Sequence, residues 1–240
     1  MYERLLSLGG FPEPLLSNDI FAAKVWRNER FNRVISDDIR DLYDVKKLSS
    51  IKLFVEALRK RCGQEIKLSN IARDLEVSPN TVKSWFGIIE EMYIGFPIYP
   101  YSTKGLIRMM VKQSKFYFFD NGDCINEEGK RLENLIATTL LKRLHFLEDR
   151  SGYQCQLCYI RDANGREVDF VTIIDGVIYE LIEVKASDEK ISSSLKYYKE
   201  KLKPRHTIQL VGNIKRTREK DGILSIHPID YFTKEFWDYT

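Results

Sequence analysis

Between residues 153 and 185 three runs suited to β-strands, Tyr153 to Arg161, Arg166 to Ile174 and Val177 to Lys185, are separated by Asn164-Gly165 and Asp175-Gly176. Both dipeptides accept the positive φ angles of a two-residue hairpin turn, so the stretch predicts an antiparallel meander. Its second and third strands are dominated by β-branched and apolar residues, yet they carry Asp169, Glu183 and Lys185. An ionised group in a strand suited to burial needs a partner or a task. This stretch therefore fixes a sheet in the fold and marks where chemistry would sit on it.

Register sharpens that expectation. Glu183 and Lys185 are two apart and share one strand face, while Ile182 and Val184 face the other way into a core. A two-residue turn at Asp175-Gly176 pairs Ile174 with Val177 and hence Asp169 with Ile182, which puts Asp169 and Glu183 on opposite faces. A shift of one residue, through a three-residue loop or a bulge, pairs odd with odd and unites them. A joint role for the three charges thus predicts an irregular hairpin.

The segments around the meander predict its neighbours. Ser187 or Asp188 is expected to cap a helix running to about Leu202, with His206 to Gly212 as the next strand. A strand, a helix of that length and another strand make a crossover, hence a parallel neighbour and a mixed sheet. Ile223 to Ile226 adds a strand, and a closing helix follows Pro228. Upstream, Gly129 to about Glu148 reads as a long helix with Leu132, Leu135, Ile136, Leu140 and Leu144 inward and Glu133 beside that apolar stripe.

The first half of the chain has a different texture. Leu8-Gly-Gly-Phe-Pro-Glu-Pro14 is a turn-rich opening, and Asn18 is the expected N-cap of a helix to about Tyr43. Phe21, Val25, Val34, Ile35, Ile39 and Leu42 form its inward face, and Arg27, Arg30, Arg33 and Arg40 are expected in solvent. Ile51, Phe54, Val55 and Leu58 mark the next helix, with Gly63 as its C-cap. Ser69 is expected to cap a short helix with Ile71, Ala72 and Leu75 inward; Val77-Ser78-Pro79 then turns into another, with Val82, Phe86, Ile89 and Tyr93 as its buried stripe. Asn80, Thr81, Lys83 and Ser84 are left outside near its N-terminus. This is a helix-turn-helix pattern, in which such residues reach the major groove. Ile94 to Tyr101, a basic loop with Lys104, Arg108 and Lys112, and the strand-like Lys115 to Phe119 make the unit resemble a winged helix, a module that serves protein as well as DNA partners.

Composition narrows the class without choosing a function. The chain has 240 residues, 43% hydrophobic and 30% charged, with a formal net charge of +3, a balance that permits a polyanion partner without requiring one. No run approaches a membrane span and Met1-Tyr-Glu-Arg lacks a signal-peptide pattern, so a cytoplasmic protein with no membrane partner is expected. No glycine-rich loop precedes a Lys-Ser or Lys-Thr pair, so no P-loop is expected. Cys155 and Cys158 are three apart on a strand, face opposite sides and read as ordinary strand cysteines.

Helix, three-strand meander, helix and strand, with acids on the first helix and on the second and third strands, resemble the PD-(D/E)xK phosphodiesterase superfamily, the restriction-endonuclease-like fold. The chain is similar, more closely, to the nuclease-like domain of unknown function found downstream of an AAA-type ATPase in archaea and bacteria. Gly9-Gly-Phe-Pro12, the winged helix, Lys115-Phe-Tyr-Phe-Phe-Asp120, Glu133-Asn134, Glu167-Val-Asp-Phe170 and Glu183-Val-Lys-Ala-Ser187 carry the resemblance in order. Val168 stands where the superfamily pattern has proline, and the helix after the third strand offers Tyr197 and Tyr198 but no glutamine.

The resemblance implies a mixed α/β fold: an N-terminal helical segment (1–48), a winged helix-turn-helix domain (49–120) and a restriction-endonuclease-like domain (121–240) with a mixed central sheet flanked by helices. It implies that Asp169, Glu183 and the carbonyl of Val184 hold Mg²⁺ or Mn²⁺, that Lys185 orients or activates the attacking water, and that Glu133 completes the site. Hard cations suit carboxylate oxygens and offset charge in phosphodiester hydrolysis. The expected function is a metal-dependent DNA phosphodiesterase that engages nucleic acid with its winged helix. The alternative is a catalytically weak or inactive DNA-binding or protein-interaction module partnering a separate AAA-type ATPase. Lys199, Lys201, Lys203, Arg205, Lys215, Arg216, Arg218 and Lys220 are further candidates for phosphate contacts.

Overall fold

The computed structural model describes residues 1–38, 48–102, 114–125, 128–187 and 190–233. They form mixed α/β structure in two compact units, Met1–Ile98 with Gln113–Leu135 and Tyr99–Lys112 with Ile136–Thr240.

The first unit opens with α1 (Tyr2–Leu8), α2 (Pro12–Ser17) and α3 (Ile20–Arg33). The turn-rich opening is thus partly helical, because Pro12 stands in the first turn of α2, where a missing N–H costs nothing. Asn18, in the left-handed conformation, closes α2 instead of capping α3. Asp19 caps α3, its Oδ1 accepting from the N–H groups of Phe21 and Ala22. The buried face of α3 also differs from the expected one: Phe21 is 79% exposed and Val25 56%, while Ala23 and Arg27 are buried. Arg27 is held there by the Leu8 carbonyl, to which its Nη1 donates at 2.9 Å. A charge-assisted contact of this kind outweighs apolar spacing on a short helix. Val34–Asp38 continues as a π-helical turn; Ile39, Arg40 and Leu42 lie outside the described residues.

Next come α4 (Leu48–Arg59), β1 (Glu65–Ile66), α5 (Leu68–Asp74), α6 (Pro79–Glu91), β2 (Gly95–Pro100) and β3 (Ser114–Phe118). Ile51, Phe54, Val55 and Leu58 of α4 are buried with Val82, Phe86 and Ile89 of α6. Phe86 stacks edge-on against Phe116 at 5.3 Å between ring centroids. Tyr93, expected in the same stripe, lies beyond the end of α6 at a φ of 52° and is exposed. Past the C-cap the helical period no longer decides a residue's direction. β1 pairs antiparallel with β3, and β3 with β2. β1 is two residues long, too short for alternation to reveal it. Asp120, just after β3, accepts from Gly122 N–H at 3.1 Å through Oδ1, while its buried Oδ2 has no hydrogen-bond partner among the described residues. A Cβ on Gly9, whose φ is 86°, would collide with this carboxylate, so Gly9-Gly10 and Asp120 are two sides of one close approach.

Helix α7 (Glu128–Ser151) begins in the first unit and passes into the second between Leu135 and Ile136. The second unit continues with β4 (Cys155–Arg161), β5 (Glu167–Ile174), β6 (Val177–Lys185), α8 (Ser193–Leu202), β7 (His206–Val211), β8 (Arg218–Lys220), β9 (Ile223–Ile226) and α9 (Pro228–Thr233). β4, β5 and β6 form the antiparallel meander. β7 lies parallel to β6 and β9 parallel to β7, so the sheet is mixed. α8 starts later than expected because Ser192, not Ser187, is the cap; its Oγ accepts from Leu195 N–H at 3.3 Å. Asp188 lies outside the described residues. Val171 and Leu181 pack with Leu195 and Tyr198 of α8, whereas Ile174 and Tyr179 pack with Leu144 and Leu147 of α7. Cys158 joins the first of these clusters and Cys155 the second.

Candidate functional site

The β5–β6 hairpin is irregular, two residues inside its tip. Asp175 and Gly176, with φ of 47° and 78°, make a two-residue turn that pairs Ile174 with Val177. Continued unbroken, that register would separate Asp169 from Glu183. It shifts after Ile173↔Ile178: Thr172 faces Glu180 and Phe170 faces Ile182, so Tyr179 is the extra residue of a bulge. The ladder ends at Phe170↔Ile182, and the same register continued by one residue brings Asp169 beside Glu183. Both residues at the bulge are held from α7, since Tyr179 packs with Leu144 and Leu147 and Glu180 pairs with Arg143.

Asp169 Oδ2 accepts the backbone N–H of Val184 at 2.9 Å, which ties the acid of β5 to the strand that carries the other charges. Lys185 Nζ lies 2.7 Å from Glu183 Oε1. Glu183 is 6% exposed, and burial pushes its carboxyl above the ordinary value. Lys185 and the Ser192 hydroxyl pull it down, and the charge of Glu167 pushes it up again. Asp169 and Glu183 are the hard oxygen donors that Mg²⁺ or Mn²⁺ takes, commonly with one or two carboxylates and the remaining positions water. Among the described residues no group of three or more His, Cys, Asp or Glu side chains is placed to hold a metal ion, so the fit rests on this pair.

Gln209 was not singled out from the sequence, although a fully polar side chain amid His206-Thr-Ile-Gln-Leu-Val was the available signal. It is the register partner of Glu183 on β7 and is fully buried. Its Oε1 accepts from Ser192 N–H at 2.9 Å and its Nε2 donates to the Lys190 carbonyl at 3.1 Å. The start of α8, and with it the Ser192 hydroxyl, is thereby fastened beside Glu183. Glu180, also unanticipated, accepts from Tyr231 Oη at 2.6 Å and Thr172 Oγ1 at 2.8 Å and pairs with Arg143. With its carboxylate satisfied by these partners, Glu180 serves the fold.

Glu133 belongs to the first unit and is engaged there. Its Oε1 accepts from Tyr117 Oη at 2.7 Å and lies 3.3 Å from Lys115 Nζ, and its Oε2 lies 2.6 Å from Lys130 Nζ. Burial alone would raise this carboxyl, but Lys115, Lys130 and the Tyr117 hydroxyl overcome it and hold it below its ordinary value. Asn134, beside it, acts as a strand in miniature: Oδ1 accepts from Phe118 N–H at 2.8 Å and Nδ2 donates to the Phe118 carbonyl at 3.1 Å. Asp169, Glu183, Val184 and Lys185 are thus brought together in the second unit, and Glu133 is the hub of its own ion cluster in the first.

Of the residues expected to face nucleic acid, Asn80, Lys83 and Ser84 are exposed on the first turns of α6. Thr81 is half-buried and serves the helix start, its N–H donating to Ser78 Oγ at 3.1 Å. Lys104, Arg108 and Lys112 lie outside the described residues. In the second unit a cavity of about 350 Å³ is lined by Lys190, Lys196, Arg218 and Lys220 with Ile191 and Ser225. Among the described residues no helix is long and apolar enough to cross a membrane.

Comparison with known proteins leaves the chemistry unassigned. An archaeal relative, the uncharacterized protein MJ1544 of Methanocaldococcus jannaschii, is 26% identical over 191 residues, covering 75% of this chain and 40% of that protein. The chain therefore matches less than half the length of this relative. No solved structure matches. Residues 128–232 match a domain of unknown function, DUF4143. Residues 1–126, more than half of the chain, match the domain of unknown function DUF8612, and the chain belongs to that family.

Proposed function

We propose that the chain is a divalent-cation-dependent phosphodiesterase acting on DNA, with a restriction-endonuclease-like second half and a winged helix that engages the duplex. The observation that carries this reading is the bulge at Tyr179, which returns Asp169 to the rung of Glu183 after a turn that would have parted them. Contacts with α7 hold the bulge in place, and its consequence for the two carboxylates is what this reading uses. The order α4-β1-α5-α6-β2-β3, with β3 between β1 and β2, is the order of a winged helix and supports the DNA-binding part. Exposed Lys83 on α6, and the cationic groove of Lys190, Lys196, Arg218 and Lys220, suit a phosphate backbone.

In this reading Asp169 and Glu183 would hold Mg²⁺ or Mn²⁺, which when bound would supply positive charge for phosphodiester hydrolysis. The Val184 N–H keeps the Asp169 carboxylate from rotating away. Lys185, now on Glu183, would provide a cation for negative charge developing on the substrate. The Lys185–Glu183 pair also favours a second reading, an inactive DNA-binding or protein-interaction module that partners an AAA-type ATPase, because an ion pair this close stands without any metal.

Incubation with plasmid and single-stranded DNA in Mg²⁺ or Mn²⁺ separates the two. The first reading expects cleavage that Asp169→Ala and Lys185→Ala each reduce by about a hundredfold or more. No cleavage by the native chain, or equal cleavage by the variants, removes it. A gel shift that weakens with salt, without cleavage, is the result expected of a DNA-binding module.

A further inference from the structure

The first unit contains a cavity of about 510 Å³ that the phosphodiesterase reading does not use. Leu6 and Ser7 of α1, Ile20, Lys24, Arg27 and Asn28 of α3, Arg59 at the end of α4, the loop Gly122–Ile125 and Arg131 of α7 line it. Four cationic side chains meet there against one carboxylate, Asp123. That carboxylate is already matched, lying 2.6 Å from Arg59 Nη2 and 4.0 Å from Arg30 Nη1, and Arg59 pairs with Glu56 as well. Lys24 and Arg131 have no carboxylate partner among the described residues, and Arg27 donates to the Leu8 carbonyl with the Asp120 carboxyl within reach of its charge. Arg27 and Arg59 are each 8% exposed, and the Nε of Arg59 is buried with no hydrogen-bond partner among the described residues.

The charges of Lys24 and Arg131, unmatched among the described residues, favour an anion in the cavity. Phosphate matches the planar donor fork of arginine and its charge matches the surplus. The cavity is within the range of about 300–1,000 Å³ that accommodates whole small molecules, so it has room beyond one phosphate group. Leu6, Ile20 and Ile125 supply apolar wall, with Ser7 and Asn28 for polar contacts.

We infer that this cavity is a binding site for a small organic phosphomonoester, its phosphate among Lys24, Arg27, Arg59 and Arg131 and its organic part against Leu6, Ile20 and Ile125. The inference does not rest on the phosphodiesterase reading, since every residue it uses lies in the first unit.

Calorimetry on the full chain with adenosine 5′-monophosphate, ribose 5-phosphate, inorganic phosphate and adenosine tests it. The esters are expected to bind, inorganic phosphate more weakly and adenosine not at all. Arg27 and Arg59 are buried and their replacement risks the fold, so the variants are Lys24→Glu and Arg131→Glu. Each should weaken the esters about tenfold or more, as loss of a charge-assisted contact does, without lowering the thermal midpoint of the unliganded chain. No binding of either ester, binding undiminished in both variants, or inorganic phosphate binding as tightly as the esters would overturn the assignment.

Discussion

Glu183 and Asp120 are both held above their ordinary range, with different consequences. Glu183 is raised by burial against the pull of Lys185, so a cation that binds it competes with the Lys185 ammonium and, as pH falls, with protonation. Mn²⁺ affinity, measured by calorimetry from pH 5 to 8, is therefore expected to rise with pH, and Glu183→Gln should abolish both the binding and the slope. Asp120 is pushed from 3.8 to about 6 by burial first and by the charge of Asp123 second. A carboxyl raised on folding contributes stability that is fully present below its unfolded value and lost as pH rises through its folded value. The native chain should lose up to about 3 kcal/mol between pH 4 and 6 from this group. Denaturant titrations of Asp120→Asn should lack that component, and an unchanged slope would show that Asp120 is not its source. Glu133 acts in the opposite sense: its depressed carboxyl supports the fold above the ordinary glutamate range and withdraws support as pH falls below it.

At the scale of elements, the meander was legible because Asn164-Gly165 and Asp175-Gly176 are local signals, and the crossover because strand, helix and strand leave few handed solutions. The bulge was legible only as a requirement of the charges. Nothing in Val177-Ile-Tyr-Glu-Leu-Ile-Glu183 marks Tyr179 as the extra residue; contacts with α7, remote in sequence, decide it. Deleting Tyr179 removes the extra residue and leaves Thr172 opposite Glu180, so Asp169 should stay on the rung of Glu183. The expected outcome is a folded sheet by circular dichroism with Mn²⁺ binding kept; lost binding would show that the bulge does more than set the register. The helix α6 was readable from Ser78-Pro79 and its apolar spacing. The inward turn of α3 was not, because Arg27 answers to a carbonyl on α1 that no periodicity reports. Gln209 escaped for a similar reason, its partners lying in the loop before α8.

At the scale of the molecule, the two family matches part at residues 126 and 128, whereas the compact units part at Leu135 and Ile136. The interval holds Leu132, Glu133 and Asn134, all buried in the first unit. A fragment of residues 1–127 leaves Lys115 with a buried ammonium and no Glu133, a loss of about 3–5 kcal/mol, and leaves both backbone groups of Phe118 without Asn134. It should be unfolded or insoluble, while a fragment of residues 1–151 should give a cooperative thermal transition. A stable 1–127 fragment would place the folding boundary at the family boundary. The ion cluster around Glu133 bears on descent as well. Lys115 belongs to one matched family and Glu133, eighteen positions on, to the other. A lineage that exchanged its second half by recombination would inherit a lysine without its acid, so the two halves are constrained to travel together unless the incoming helix brings a carboxylate and an amide at the same two positions.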